Sequence, residues 1–400
     1  MKLRIAFYTD SYLPATDGVV NSIINFRKEL ERRGHKVYIF ASSSMGSKAM
    51  PGRNVFLYRG IEFKPYPQYS MAIFPYNSAV KLRNLEVDIV HAHTPFMMGF
   101  ASMLIAKMSG YPLVGSFHTL INNRSVIEDY YPKNEQLRKF TAKYLWKYVK
   151  FFYRKCDAVA VPSKSTYSIL ARQGIRNISV VPNSVDMKSF RPTAGGRRMR
   201  GELGIGSGEK MVLYLGRISR EKRLDVMIKA AARLCKKRDD MKFVIGGTGP
   251  AEYRYRSMVK RLGLQRHVSF IGFVREKDLP KLYAASDAFC IPSTFETQGI
   301  ASIEAMASGK PVVGADCLAL SDLIVNGRNG EKFRPGDYLG CARKIERVLN
   351  NPDAYISNAI STAEEFSVEK MADRLLDVYR MVMEKAHGSD YSDAQRSGDN

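Results

Sequence analysis

The 400-residue chain is 45% hydrophobic and 25% charged, the composition of a soluble globular protein of about two domains. That composition excludes a disordered chain, a collagen-like chain and a coiled-coil rod. A formal net charge of +23 is large enough to hold the protein near a polyanion, whether nucleic acid, an anionic membrane or a phosphorylated substrate. Five scattered cysteines (Cys156, Cys235, Cys290, Cys317 and Cys341), none in a CxxC pair, indicate neither a disulfide framework nor a zinc knuckle, and fit a reducing cytoplasm.

In chain order, MKLRIAFYTD reads as a buried strand over 4–9 rather than a signal peptide. A helix over 20–33, a strand over 36–41, a strand over 87–91 and a helix over 97–109 follow. The longest apolar stretch, 95–106, is well short of the ~20 residues of a spanning helix, so any membrane contact is expected to be peripheral. Alternating short β-rich runs and helical periodicity imply a parallel sheet covered by helices on both faces. The loop at 47–77 carries Tyr58, Phe63, Tyr66, Tyr69 and Phe74; these rings either widen an exposed face or anchor the loop in the core.

Between 132 and 156 the chain reads PKNEQLRKFTAKYLWKYVKFFYRKC, with Lys139, Lys143, Lys147 and Lys150 at helical spacing among Phe140, Tyr144, Trp146, Phe151 and Phe152. Interleaved basic and aromatic residues on a helix suit a membrane interface, with rings at headgroup level and ammonium groups on anionic lipid. A surface helix with solvated lysines has the same pattern. For nucleic acid, the third polyanion, no RRM, KH, zinc-finger or helix-turn-helix signature accompanies the charge.

A Gly- and Arg-rich stretch at 192–208 looks like an interdomain linker, after which the grammar restarts. Strands are expected at 211–215, 242–245, 268–271 and 288–291, and helices at 224–236, 252–262 and 279–285. The chain thus reads as α/β, with two doubly wound Rossmann-like domains facing across a cleft: 1–190 and 191–367. A last helix covers 368–386, and the polar tail 387–400 is expected to be disordered. Ligands of such sheets bind beyond the carboxyl ends of strands.

The sharpest constellation is FETQGIASIEAMA, where seven residues separate Glu296 from Glu304 and Gly299 lies between them. If a helix begins near Gly299, the amides of Gly299, Ile300 and Ala301 form an anion site at its N-terminus. Glu304 could then accept two hydroxyl hydrogen bonds, as a ribose offers. In LYLGRISREKR, Gly216 ends a strand, and Arg217 and Lys222 suit a diphosphate. No D-x-D metal clamp occurs in the chain, so a divalent metal is not expected to be essential. Gly246, Gly247 and Gly249 follow another strand, where glycine lets backbone approach a ligand.

Together GRISREKR, GGTGP, FIGFV, the E-x7-E segment and the N-terminal DGV, HTP and FHT stretches resemble the retaining glycosyltransferases of family 4, which have the GT-B fold. The resemblance covers nearly the whole chain and implies that the last helix packs back on the N-terminal domain. By resemblance, Arg217 and Lys222 bind the donor diphosphate, Glu304 the nucleotide ribose and Glu296 the donor sugar. The Gly299, Ile300 and Ala301 amides, with Gly18, close on the phosphate or sugar. Val274 and Arg275 lie near the base, and Gly216 and Gly247 border the donor. His118 matches the active-site histidine. His91 and His93 are expected to be structural.

Many members have two glycines where this chain has Asp17-Gly18. The ETQG wording, the basic aromatic helix and the Tyr66-Pro67-Gln68-Tyr69 loop resemble members that glycosylate membrane lipids, such as monoglucosyl-diacylglycerol synthases and phosphatidylinositol mannosyltransferases. Asp129, Tyr130 and Tyr131 would line the acceptor entrance or pack. The resemblance implies a cytoplasmic enzyme, peripheral on the inner face of the cell membrane, with anionic lipids as partners. Its donor would be a nucleotide sugar, UDP-glucose first and GDP-mannose second. A soluble or polyprenyl-linked acceptor, or a non-catalytic nucleotide-sugar binder, keeps the same fold.

Overall fold

The computed structural model describes residues 2–13, 18–44, 52–62, 70–72, 77–118, 134–192 and 195–396. The chain divides into two compact units: one gathers the strands before Ser184 and the helix starting at Val368, and the other spans Val185–Ser367.

In the first unit, β1 (Arg4–Thr9), β2 (Lys36–Ser44), β3 (Val55–Glu62), β4 (Ser70–Ala72), β5 (Ile89–Ala92), β6 (Leu113–Ser116), β7 (Ala158–Val161) and β8 (Ile178–Val180) form one sheet in the order β4-β3-β2-β1-β5-β6-β7-β8. Only the edge strand β4 is antiparallel, to β3. Ile5 to Thr9 of β1 are all buried, as a parallel strand covered on both faces requires. The helix Val368–Arg396 lays Met371, Leu375, Val378, Tyr379 and Val382, a 3.6-residue period, against Leu3, Ile5 and Phe7. At about 1.5–3 kcal/mol per fully buried large apolar side chain, that stripe holds the helix to this unit. The helix continues past 386 into the tail expected to be disordered, because propagation costs little once a helix is nucleated.

The second unit is a parallel sheet of β9 (Lys210–Leu215), β10 (Met241–Gly246), β11 (Val268–Gly272), β12 (Ala288–Ile291), β13 (Val312–Ala315) and β14 (Gly330–Phe333), in the order β11-β10-β9-β12-β13-β14. Two differences from the sequence reading concern its start. The division falls at Val185 rather than 191, because Val185 bridges Ser367 and Phe190 packs on this unit's core. The stretch read as a linker contains the helix Gly195–Glu202. Gly196 lets that helix approach the Ala284 backbone, which a Cβ would meet at 2.7 Å, and Arg200 reaches the Ala285 carbonyl at 2.8 Å.

Each sheet reverses its strand order once, between β1 and β5 and between β9 and β12. The loops leaving those strands therefore sit at topological switch points, the ligand-binding position of doubly wound sheets. Among the described residues, no helix is long and apolar enough to cross a membrane.

Candidate active site

In the second unit the loops after β9 and β10 are locked together by backbone. The Gly216 amide donates to the Gly246 carbonyl at 3.1 Å, and the Ile218 amide to Thr248 at 2.9 Å. Gly247 has φ 121°, and a Cβ there would stand 1.9 Å from the Gly216 oxygen, so only glycine fits. Gly247→Ala is expected to destabilise the protein by at least about 3 kcal/mol, read as a fall in melting temperature. The Tyr214 hydroxyl donates to the Arg217 carbonyl at 2.9 Å, which pins the backbone carrying that guanidinium.

Lys222 lies in a short 3-10 turn, Arg220–Lys222. The Glu221 carbonyl in that turn accepts the Thr294 amide at 3.2 Å, which ties the turn to the loop after β12. The tie brings the two chemical motifs together: the Lys222 ammonium donates to the Glu296 carboxylate at 2.8 Å, both half-buried. A cation and a carboxylate are thus held side by side at the switch point of this sheet.

Gly299 caps the helix Ile300–Ala307 in the left-handed conformation, φ 80°. It precedes the helix rather than opening it, and its carbonyl accepts the Ser302 amide at 2.8 Å. The Ile300 and Ala301 amides lie in the first helical turn, where a helix offers its unpaired donors. Glu304, one turn on, accepts a hydrogen bond from the Tyr283 hydroxyl at 2.8 Å. Burial raises its carboxyl to about 7; the Tyr283 bond opposes the shift and the Glu276 charge adds to it. Tyr283 has no motif to announce it, since its contact with Glu304 spans two helices. Val274 packs on this unit's core beside Gly246.

In the first unit, Asp10 leaves β1 and caps the helix Met97–Ser109, accepting the Met98 amide at 2.9 Å and the Thr94 hydroxyl at 2.5 Å. Gly18 opens the helix Gly18–Arg32. His118 follows β6, its ring stacked 6.0 Å from that of His93, and burial lowers it to about 4. His91 is wholly buried between the Tyr379 hydroxyl at 2.6 Å and the Ser116 hydroxyl at 2.8 Å.

The basic aromatic segment forms the helix Glu135–Lys155, capped by the Asn134 side chain. One face buries Val149, Phe152 and Tyr153, and Trp146 lies half-buried against Phe117 at 6.4 Å. A second face exposes Leu137 (52%), Phe140 (58%), Tyr144 (50%) and Phe151 (45%) at helical spacing. Lys139, Lys143, Lys147 and Lys150 form a stripe beside them. Tyr58 packs in the sheet, 6.4 Å from Phe40. Asp129, Tyr130 and Tyr131 lie outside the described residues, as do Asp17, Phe63, Tyr66, Tyr69 and Phe74. Among the described residues, no group of three His, Cys, Asp or Glu side chains is placed to hold a metal ion.

Comparison with known proteins gives the family. The Glycosyltransferase Family 4 domain matches residues 16–189, and the Glycosyl transferases group 1 domain matches residues 197–366. The alpha-monoglucosyldiacylglycerol synthase of Streptococcus pneumoniae is 28% identical over 94% of this chain and 85% of its own. That of Acholeplasma laidlawii is 26% identical over 92% and 94%. Among solved structures, Anabaena HepE in complex with UDP and glucose superposes with a TM-score of 0.75 at 20% identity, covering 95% of this chain and all of its own. Sucrose-phosphate synthase from Thermosynechococcus elongatus does so at 0.77 and 19%, covering 96% and all of its own. The chain is an enzyme of the GT-B fold, a hexosyltransferase that belongs to the glycosyltransferases built from a family 4 domain followed by a group 1 domain.

Proposed function

We propose that the protein is a retaining glycosyltransferase that moves a hexose from a nucleotide sugar, UDP-glucose before GDP-mannose, to a hydroxyl of a membrane lipid such as diacylglycerol or a phospholipid. The Lys222–Glu296 pair carries the donor half of this reading. When the diphosphate arrives, Lys222 turns to its charge together with Arg217, and the released Glu296 carboxylate accepts hydroxyls of the sugar. The Gly299, Ile300 and Ala301 amides take the remaining negative charge. Gly18, Gly216, Gly247 and Val274 border the donor, and Glu304 holds the ribose.

The acceptor hydroxyl attacks the face from which the diphosphate departs. The departing oxygen takes the acceptor's proton as the C–O bond forms, through an oxocarbenium-like state. Positioning and the two cations on the leaving group supply the rate, and the cations offset the diphosphate charge that a divalent metal would otherwise offset. Neutral His118 contacts the donor sugar as a hydrogen-bonding group.

The lipid half rests on the helix Glu135–Lys155. An exposed apolar stripe beside a lysine stripe matches a helix lying in the headgroup region, and the relatives from Streptococcus and Acholeplasma are alpha-monoglucosyldiacylglycerol synthases by name. The protein would then work peripherally on the cytoplasmic face of an anionic membrane. Thermal-shift titrations with UDP-glucose and GDP-mannose identify the donor. The anomeric proton coupling of the product tests retention, and a β-linked product from an α-linked donor would refute it.

Glu304 gives the donor site a pH signature. Its folded value of about 7 lies above the ordinary 4.5, so it stabilises the donor-free fold fully below about 4.5, and that contribution is lost as pH rises through about 7. Ribose hydroxyls favour the carboxylate, so UDP-glucose binds more tightly as pH rises from 6 to 8. Glu304→Gln flattens that dependence in isothermal titration. A slope unchanged in the variant would assign it to another group.

A further inference from the structure

His93 is 1% exposed, and both its ring nitrogens are buried with no hydrogen-bond partner among the described residues. Unmet buried polar atoms cost free energy, so whatever His93 contributes is carried by its ring faces and edge. Three rings pack against them. The ring stacks with His91 at 4.2 Å and 27° and with His118 at 6.0 Å and 12°, and it meets Phe7 in a T-shaped contact at 4.6 Å, the stacked and edge-to-face arrangements that rings favour.

The stack is anchored at one end. His91 is held by the Tyr379 hydroxyl from the C-terminal helix and by the Ser116 hydroxyl. The Ser116 carbonyl in turn accepts the Tyr153 hydroxyl at 2.8 Å, so the residue that steadies the stack also fixes the backbone two positions before His118. Burial holds His91 down to about 3 and His118 to about 4, and lowers His93 as well. Three neutral rings carry no repulsion to separate them.

We propose that His93 is a positioning residue whose ring face, backed by the Tyr379-anchored His91, sets the plane of the His118 imidazole. For catalysis this rests on the role assigned to His118 above. The test uses the full chain with 13C-labelled histidine Cε1, UDP-glucose as donor and diacylglycerol vesicles as acceptor.

His93→Ala is expected to shift the His118 Cε1–H resonance and to lower kcat about tenfold to a hundredfold with donor KM unchanged. His93→Phe, which keeps a ring in the stack and removes the two unmet nitrogens, is expected to restore both and to melt at or above the wild-type temperature. An unmoved His118 resonance in the alanine variant overturns the proposal. So does a folded phenylalanine variant as slow as the alanine one, a comparison that also decides if the alanine variant does not fold, with wild type then the reference. If the resonance moves but His118→Ala retains full activity, the catalytic role of His118 falls while its positioning by His93 stands.

Discussion

Lys222→Ala is expected to lower turnover about 10²- to 10³-fold, or about 3–4 kcal/mol of transition-state stabilisation, the scale for removing one preorganised charge-stabilising donor. The loss should fall on kcat, because negative charge on the diphosphate grows as the glycosidic bond breaks, whereas in the bound donor Arg217 and the helix amides already share it. The substitution also leaves the Glu296 carboxylate without the ammonium that meets it at 2.8 Å, so a double-mutant cycle of Lys222→Met, Glu296→Gln and the pair separates the leaving-group effect from that second loss and from the sugar contacts of Glu296. Single-turnover rates and donor affinity by calorimetry separate the two. Equal losses in turnover and affinity would make Lys222 a binding residue only.

Replacing Lys139, Lys143, Lys147 and Lys150 together by alanine is expected to weaken binding to anionic vesicles roughly a thousandfold. A lysine near such a surface contributes about 1 kcal/mol, four sum to roughly 4, and 1.4 kcal/mol is about tenfold. Lys139 pairs with Glu135 on the same helix, and both are well exposed. The fold and UDP-glucose affinity should therefore be unaffected. Phe140→Ser with Tyr144→Ser removes the complementary part, which persists at high salt. Cosedimentation with anionic and with zwitterionic vesicles measures both, and equal binding to the two would remove the electrostatic half of the account.

The two motifs proposed to hold the donor are legible in the sequence because each is local and follows a strand: Gly216 to Lys222 after β9 and Glu296 to Glu304 after β12. Their meeting is not, because the hydrogen bond from Thr294 to Glu221 that joins the two loops is made by backbone. Tyr283 under Glu304 and Tyr379 behind His91 escaped for a related reason. Each lies on a helix whose periodicity reports burial, while its hydroxyl finds a partner far away in the chain. The stretch at 192–208 has the glycine content of a linker but contains the helix Gly195–Glu202. Here Gly196 serves close helix packing, and Arg200 reaches backbone carbonyls.

The most direct test of the account is transfer of radiolabelled hexose from UDP-glucose and from GDP-mannose into mixed vesicles of diacylglycerol and anionic phospholipid, followed by organic extraction. The account predicts label in the organic phase from one donor, UDP-glucose, lost with Lys222→Ala. Label that stays in the aqueous phase with both donors would contradict a lipid acceptor and move it to a soluble or polyprenyl-linked glycan.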